Sequence, residues 1–345
     1  MKERLIWADL LRITACLMVI GIHTSGSYYY VYERLTDCWW IAVIINSFGH
    51  FAVPCFFMLS GMFMLNPKKE ISIKSIYKHS TPKLVELVLY SIAVSLGVFF
   101  VCRLFNSDYK YINEAPVHTI FQIMILYFLT PGFRVLVSHP KEFKYTTFIL
   151  VFLSLFVSPL KNLPYIGCLS TEIYEANRLI VSASFYLLGY YLYSMPKTIH
   201  WAFLFTGIIT ACLMHLASLV AGLDNHDFFI TKLSLVQVIQ LDTLLISISI
   251  FLLFKQYVNK IMFNEKCRKV ISIAGKATMY IYVTHMGVLR LLTGTKLFNN
   301  SPIQVPLYIF LNFIICLLSS YIYIYMKKVI VAIKKMKNSG NGDKI

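Results

Sequence analysis

The fold is decided near the start of the chain by residues 7–23, WADLLRITACLMVIGIH. A membrane-spanning helix needs roughly 17–25 mostly apolar residues, and the surrounding stretch 6–26 meets that length. Three ionisable side chains, Asp9, Arg12 and His23, interrupt it. Because such groups are costly inside a bilayer, they mark candidate functional positions in a predicted transmembrane helix.

The composition of the whole chain agrees with a membrane protein. Of its 345 residues, 58% are hydrophobic and only 14% are charged, with a mean hydropathy of +0.66. Soluble globular proteins carry about 25% charged residues. A water-soluble domain, a disordered chain and a disulfide scaffold are therefore excluded as classes.

Stretches of spanning length recur along the sequence. We predict an all-α, polytopic membrane helix bundle of about ten transmembrane helices within a single domain, residues 1–330, followed by a polar, disordered cytoplasmic tail, residues 331–345. The predicted spans are 6–26, 39–65, 84–102, 117–136, 145–160, 178–195, 201–222, 234–254, 270–293 and 303–326.

The distribution of basic residues predicts the orientation of the bundle. The chain has 32 Lys and Arg against 16 Asp and Glu, a formal net charge of +16. The excess lies in alternate connections, chiefly 66–83, 134–144 and 255–269, and in the C-terminal tail. Cytoplasmic loops carry such an excess, so both termini are predicted to be cytoplasmic. Basic residues spread in this way serve topology and lipid headgroups, and we expect no nucleic-acid partner.

Arg12 and His23 are predicted to share one face of the first helix. Their separation of 11 residues, at about 100° each, ends about 20° beyond three full turns and covers roughly 16 Å of axis. Asp9 lies one turn before Arg12 and can pair with it. A guanidinium binds phosphate in a bidentate manner, and an imidazole transfers protons near neutral pH. An ion pair and an interfacial histidine with structural roles only are the alternative.

Asp242 and the cysteines indicate less about function. Asp242 falls within the predicted eighth span and must have a partner across the bundle, a hydroxyl or a base. The eight cysteines are scattered without a CxxC pair, so no metal site is predicted.

At the level of motifs, the chain resembles the acyltransferase-3 family of ten-helix membrane acyltransferases. The hallmark of that family is an Arg and a His separated by ten residues, with an Asp three residues before the Arg, as in Asp9, Arg12 and His23. The second block, VPCFFMLSG (53–61), is similar to the family's V-P-x-F-F-x-x-S-G. Weaker similarities follow in HTIF…YFLTP (118–131), FYLLGYY (185–191) and GKATMYIYVTH (275–285).

The resemblance implies transfer of an acyl group, usually acetyl, from cytosolic acetyl-CoA to a hydroxyl of a cell-envelope glycan or lipid-linked sugar at the outer side of a bacterial cytoplasmic membrane. Acetyl-CoA would be a co-substrate, with no metal involved. His23, Arg12 and Asp9 are the expected catalytic residues, with His23 as a general base or, alternatively, as the carrier of the acyl group.

Further positions are expected to bind the two substrates. Arg12, Ser60 and Lys276 would contact CoA, although Ser60 could serve helix packing and Lys276 could extend to the membrane interface. His50, His118 and His285 would line the acceptor side, and structural roles are open for them too. His50 stands where several relatives have Arg, which bears on acceptor recognition.

Two other functions fit a polytopic bundle with ionisable residues. A proton-coupled carrier for small, amino-acid-like molecules is the first, although no inverted repeat is visible in the sequence. An exporter or a structural subunit of an envelope complex is the second. Binding of acetyl-CoA, dependent on Arg12, would separate an acyltransferase from both.

Overall fold

The fold is that of a computed structural model, which describes residues 4–29, 31–67, 73–104, 117–160, 170–224, 228–294 and 301–340. Regular secondary structure in these ranges is helical. The helices are α1 (Ile6–Tyr29), α2 (Asp37–Gly49), α3 (Ala52–Met64), α4 (Ile73–Leu104), α5 (Val117–Val137), α6 (Pro140–Leu160), α7 (Ser170–Ser194), α8 (Trp201–Asp224), α9 (Phe228–Gln256), α10 (Glu265–Gly294) and α11 (Gln304–Gly340), with a 3-10 turn at Val258–Lys260.

The helices confirm the all-α prediction and place a helix at each of the ten predicted stretches. Six segments in the described ranges combine the length and hydropathy of a membrane span: Ile6–Tyr28, Asp37–Met64, Thr119–Val137, Trp201–Ser218, Leu241–Lys260 and Gln304–Ile330. The protein is thus a helical membrane protein. The count of ten spans and the cytoplasmic termini remain predictions.

The second predicted span is broken into α2 and α3. Helix α2 ends at Gly49, and α3 begins at Ala52 with Pro54 in its first turn. Proline has no N–H to donate and its ring clashes with the carbonyl four residues earlier, here that of His50. The break places His50 between two helices, inside the apolar segment.

The end of the chain differs from the sequence-based expectation. Helix α11 continues to Gly340, so residues 331–340 are helical and not disordered as expected from their polar composition. Residues 341–345 lie outside the described ranges.

Two pairs of helices pack closely against each other in the core, α1 with α10 and α3 with α7. Helix α1 packs against α10, where Cys16 Sγ lies 3.5 Å from the carbonyl oxygen of Thr278. Helix α3 packs against α7 at backbone distance, because a Cβ on Gly61 would lie 1.7 Å from the carbonyl oxygen of Tyr186, and one on Gly189 would lie 2.1 Å from that of Met58. Small residues at such crossings allow helices to approach closely in membranes.

This close crossing makes Gly61 sensitive to a single methyl group. Replacing Gly61 with Ala forces α3 and α7 apart, and overpacking of this kind costs about 1–3 kcal/mol. We expect Gly61→Ala to lower the midpoint of thermal unfolding in detergent by several degrees. Gly97→Ala is the matched control, because nothing lies within 4 Å of a Cβ at Gly97. Equal midpoints for the two variants would contradict the crossing.

Candidate active site

The predicted ion pair on α1 is present and includes a third residue. Asp9 is 1% exposed, and its Oδ1 accepts hydrogen bonds from Arg12 Nη1 at 3.0 Å and from Arg4 Nη2 at 2.9 Å. Arg4 Nε donates to Asp9 Oδ2. The guanidinium of Arg12 also lies over the ring of Phe63, 4.7 Å from its centroid. A buried carboxylate needs such partners, and in return it fixes the position of Arg12.

The close approach of α10 explains a glycine in the motif at residues 275–285. A Cβ on Gly275 would lie 2.9 Å from Asp9 Cβ, Cγ and Oδ1. Any other side chain at this position would displace the Asp9 carboxylate, and with it the two guanidiniums that the carboxylate holds.

Three predicted donor-binding residues, Arg12, Ser60 and Lys276, line one cavity of about 1020 Å³. Helices α1, α3, α4, α5, α7 and α10 contribute to its wall. The cavity lies at the N-terminal end of α1 and the C-terminal end of α3, the side that the charge pattern predicts to be cytoplasmic. Its volume is at the upper end of the range for ligand sites, about 300–1,000 Å³.

Sequence reasoning missed two further cations in the wall of this cavity, Arg4 and Lys83. Lys83 lies just before the apolar segment Val85–Gly97 of α4. Its pKa is lowered from the usual lysine value, first by loss of hydration and then by the charge of Arg12. A partial signal was available, since Lys83 belongs to the basic segment 66–83 that predicted topology and Arg4 directly precedes the first predicted span. The distribution of basic residues along the sequence does not distinguish Arg4 and Lys83 from the other basic residues.

His23 lies at the other end of α1, outside the residues that line the cavity. Its side chain is exposed, and its ring centroid is 5.2 Å from that of His285 on α10. His285 is fully buried, and its Nδ1 lies 2.6 Å from the carbonyl oxygen of Tyr282. The Nδ1–H therefore donates to that carbonyl, which leaves Nε2 as a hydrogen-bond acceptor. This Nε2 is buried without a hydrogen-bond partner in the structure.

His50 belongs to a different cluster from His23 and His285. Its ring centroid is 4.0 Å from that of His215 on α8, and its Nε2 is 3.2 Å from Asn46 Oδ1. His215 Nδ1 lies 2.8 Å from Asp242 Oδ2. Asp242 thus has the basic partner that the sequence required. His215 itself gave no sequence signal, because one histidine in an apolar helix follows no pattern.

The Asn46–His50 pair connects this cluster to the helix that carries His23. Asn46 Nδ2 donates to the carbonyl oxygen of Ile22 and to Ser25 Oγ, at 3.3 and 3.1 Å. Both acceptors flank His23 in α1. The side chain of His118, the third residue predicted on the acceptor side, lies outside the described part of the structure.

The site therefore has two poles on one helix. At one end of α1 a cavity is lined by four cations, and at the other end two imidazoles are in contact. Such an arrangement can bind a polyanion at one pole and move a proton at the other. In the ranges that the structure describes, no group of three or more His, Cys, Asp and Glu residues could hold a metal ion.

A comparison with known families matches the chain to the acyltransferase-3 model, described as an acyltransferase domain, over residues 5–322. This range covers α1 to most of α11 and includes both poles of the site. No curated protein and no solved structure matches the chain.

The contact between α10 and Asp9 gives a test of the cationic pole. We expect Gly275→Ala to displace the Asp9 carboxylate and to weaken binding of anionic ligands in the cavity at least tenfold, because Arg12 loses its fixed position. Isothermal titration with acetyl-CoA measures the affinity. Gly132→Ala is the control, since a Cβ there meets nothing within 4 Å. Unchanged affinity in folded Gly275→Ala protein would refute the role of this contact.

Proposed function

The chain belongs to the acyltransferase-3 family, and from that premise we propose that it is an O-acyltransferase that takes an acetyl group from cytosolic acetyl-CoA. The acceptor is a hydroxyl of a cell-envelope glycan or lipid-linked sugar at the outer side of a bacterial cytoplasmic membrane. One observation carries the proposal: a single helix joins the cation-lined cavity at Arg12 to the exposed imidazole of His23.

The donor is assigned to the cavity on grounds of charge and volume. CoA carries several phosphate charges, and Arg4, Arg12, Lys83 and Lys276 all line the cavity. Charge-assisted hydrogen bonds from guanidinium to phosphate are about twice as strong as neutral ones. The pantetheine arm is long and thin, so it can run along α1 toward His23 while the nucleotide stays among the cations.

His23 supplies the proton chemistry in this mechanism. Its imidazole takes the proton of the acceptor hydroxyl while the hydroxyl oxygen attacks the thioester carbonyl carbon. The carbon–sulfur bond breaks, and the proton passes from His23 to the departing sulfur to form CoA thiol. His285 lies beside His23, and this contact limits the orientations open to the His23 ring.

A second route passes through an acyl-enzyme. In that route a ring nitrogen of His23 attacks the thioester carbonyl carbon, the carbon–sulfur bond breaks and CoA leaves as its thiolate. The acceptor hydroxyl then displaces the imidazole from the acetyl group, and its proton balances the one taken up by the CoA thiolate. The exposure of His23 suits both routes, because each brings a hydroxyl to the same ring.

The acceptor is proposed to be membrane-associated. The predicted outer connections are short, so recognition would occur at the level of the membrane, where a lipid-linked sugar can diffuse to His23. The opening helices also resemble those of the inner-membrane O-acetyltransferase that acts on enterobacterial common antigen. The carrier alternative draws no support from the comparison, since the matched family is one of acyltransferases.

Release of CoA thiol tests the role of His23. We expect purified protein in detergent to release thiol from acetyl-CoA when an envelope glycolipid extract is added, and His23→Ala to lower that rate at least a hundredfold, in line with the loss of a general base. His200→Ala, which removes an exposed histidine that does not line the cavity, should retain activity. If the protein shows no thiol release and no acetyl-CoA binding with any extract, the proposed enzyme function is wrong, and uptake assays in proteoliposomes would be the next experiment.

The lowered pKa of Lys83 predicts how donor binding depends on pH. Lys83 loses its charge at a lower pH than an ordinary lysine, so affinity for a non-hydrolysable acetyl-CoA analogue should fall as pH rises toward the usual lysine range. Lys83→Arg keeps a positive charge throughout and should flatten the profile, whereas Lys266→Arg should leave it unchanged. Identical profiles for wild type and Lys83→Arg would exclude Lys83 from the donor site.

A further inference from the structure

A continuous series of ring contacts links the cavity to His23. Phe56 of α3 lines the cavity, and its ring centroid lies 5.7 Å from that of Tyr282 on α10, with the rings at 68°. Tyr282 lies 5.7 Å from His285, and His285 lies 5.2 Å from His23. The cavity and His23 are thus separated by two aromatic rings and by the imidazole of His285.

These rings fill the space between the poles. Phe56 is 8% exposed, Tyr282 is 5% exposed and His285 is fully buried. Of these three residues and His23, only Phe56 lines the cavity. Protein interiors are packed as densely as organic crystals, so within the described residues these three buried rings close the direct route from the cavity to His23.

The rings of Tyr282 and Phe56 are held in place by different interactions. The hydroxyl of Tyr282 is hydrogen-bonded to the side chain of Thr119 on α5, which fixes its ring between α5 and α10. The side chain of Phe56 has no group that can form such a hydrogen bond, and it borders the open volume of the cavity. Movement of Phe56 into that volume is therefore the smaller rearrangement that would open the route.

We propose that Phe56 and Tyr282 form an aromatic barrier between the donor cavity and His23, and that this barrier restricts the donor to short, unbranched acyl groups. The inference rests on the proposed acyl transfer. The acyl group is the leading end of the donor, so it passes the barrier before the pantetheine arm does. Because the two rings are buried and packed against each other, a bulkier acyl group must displace more of the ring pair than an acetyl group does.

The transfer step is the acyl transfer at His23 that we propose for this protein. The ester bond to the acceptor oxygen forms, the thioester bond breaks, and the hydroxyl proton ends on the CoA sulfur. The barrier takes no part in these bonds. It decides which thioesters reach the imidazole, and Phe56 and Tyr282 are therefore specificity residues and not catalytic ones.

The experiment compares acetyl-CoA with butyryl-CoA and isobutyryl-CoA as donors, using acceptor-dependent CoA-thiol release. A single methylene in an apolar site is worth about 10–200-fold in discrimination. We expect Phe56→Ala to raise the butyryl-to-acetyl ratio of kcat/KM at least tenfold and Phe56→Trp to lower it. Ile123→Ala is the matched control, because Ile123 lines the same cavity without belonging to the ring series.

The outcomes separate the barrier from the proposed function. A ratio that stays constant in Phe56→Ala, or that rises equally in Ile123→Ala, overturns the barrier while acetyl transfer by the wild type still stands. If Phe56→Ala does not fold, Phe56→Leu removes less volume and should raise the ratio by a smaller factor, and no rise in that variant overturns the barrier as well. Wild-type protein that is inactive with every donor defeats both.

Discussion

The arrangement of the site depends on one buried ion pair, between Asp9 and Arg12 on α1. A carboxylate that is 1% exposed is costly unless it is paired, and Asp9 accepts from Arg12 and Arg4 together. The pair fixes the guanidinium of Arg12 at the wall of the cavity. Because α1 is a continuous helix, the position of Arg12 also determines which face presents His23, about 16 Å further along.

Helix α10 packs along α1 and contacts it at three successive positions. Gly275 contacts Asp9, Thr278 contacts Cys16, and His285 contacts His23. The contacts advance in the same direction along both helices, so the two run parallel through the bundle. One pair of helices therefore supplies both poles of the site, and the remaining helices complete the cavity and cover the rings between the poles.

The sequence predicted the elements that follow a period and missed those that depend on tertiary packing. The face shared by Arg12 and His23 follows from helical geometry alone, and the stretches of apolar residues located a helix at each predicted span. The pairing of His50 with His215 could not be predicted, because it requires knowing that α2 and α8 are neighbours. The contact between Phe56 and Tyr282 is a second case. Both residues lie in motifs that the sequence shows, but their contact depends on how α3 and α10 pack.

The most direct test of the two-pole arrangement is the sidedness of transfer. Proteoliposomes of defined orientation would contain a glycolipid acceptor, and labelled acetyl-CoA would be supplied on only one side. With both poles on α1, label supplied on the side of the chain termini should reach acceptor hydroxyls on the opposite face. Label transferred only to acceptors on the donor's own side would contradict passage along α1 from Arg12 to His23.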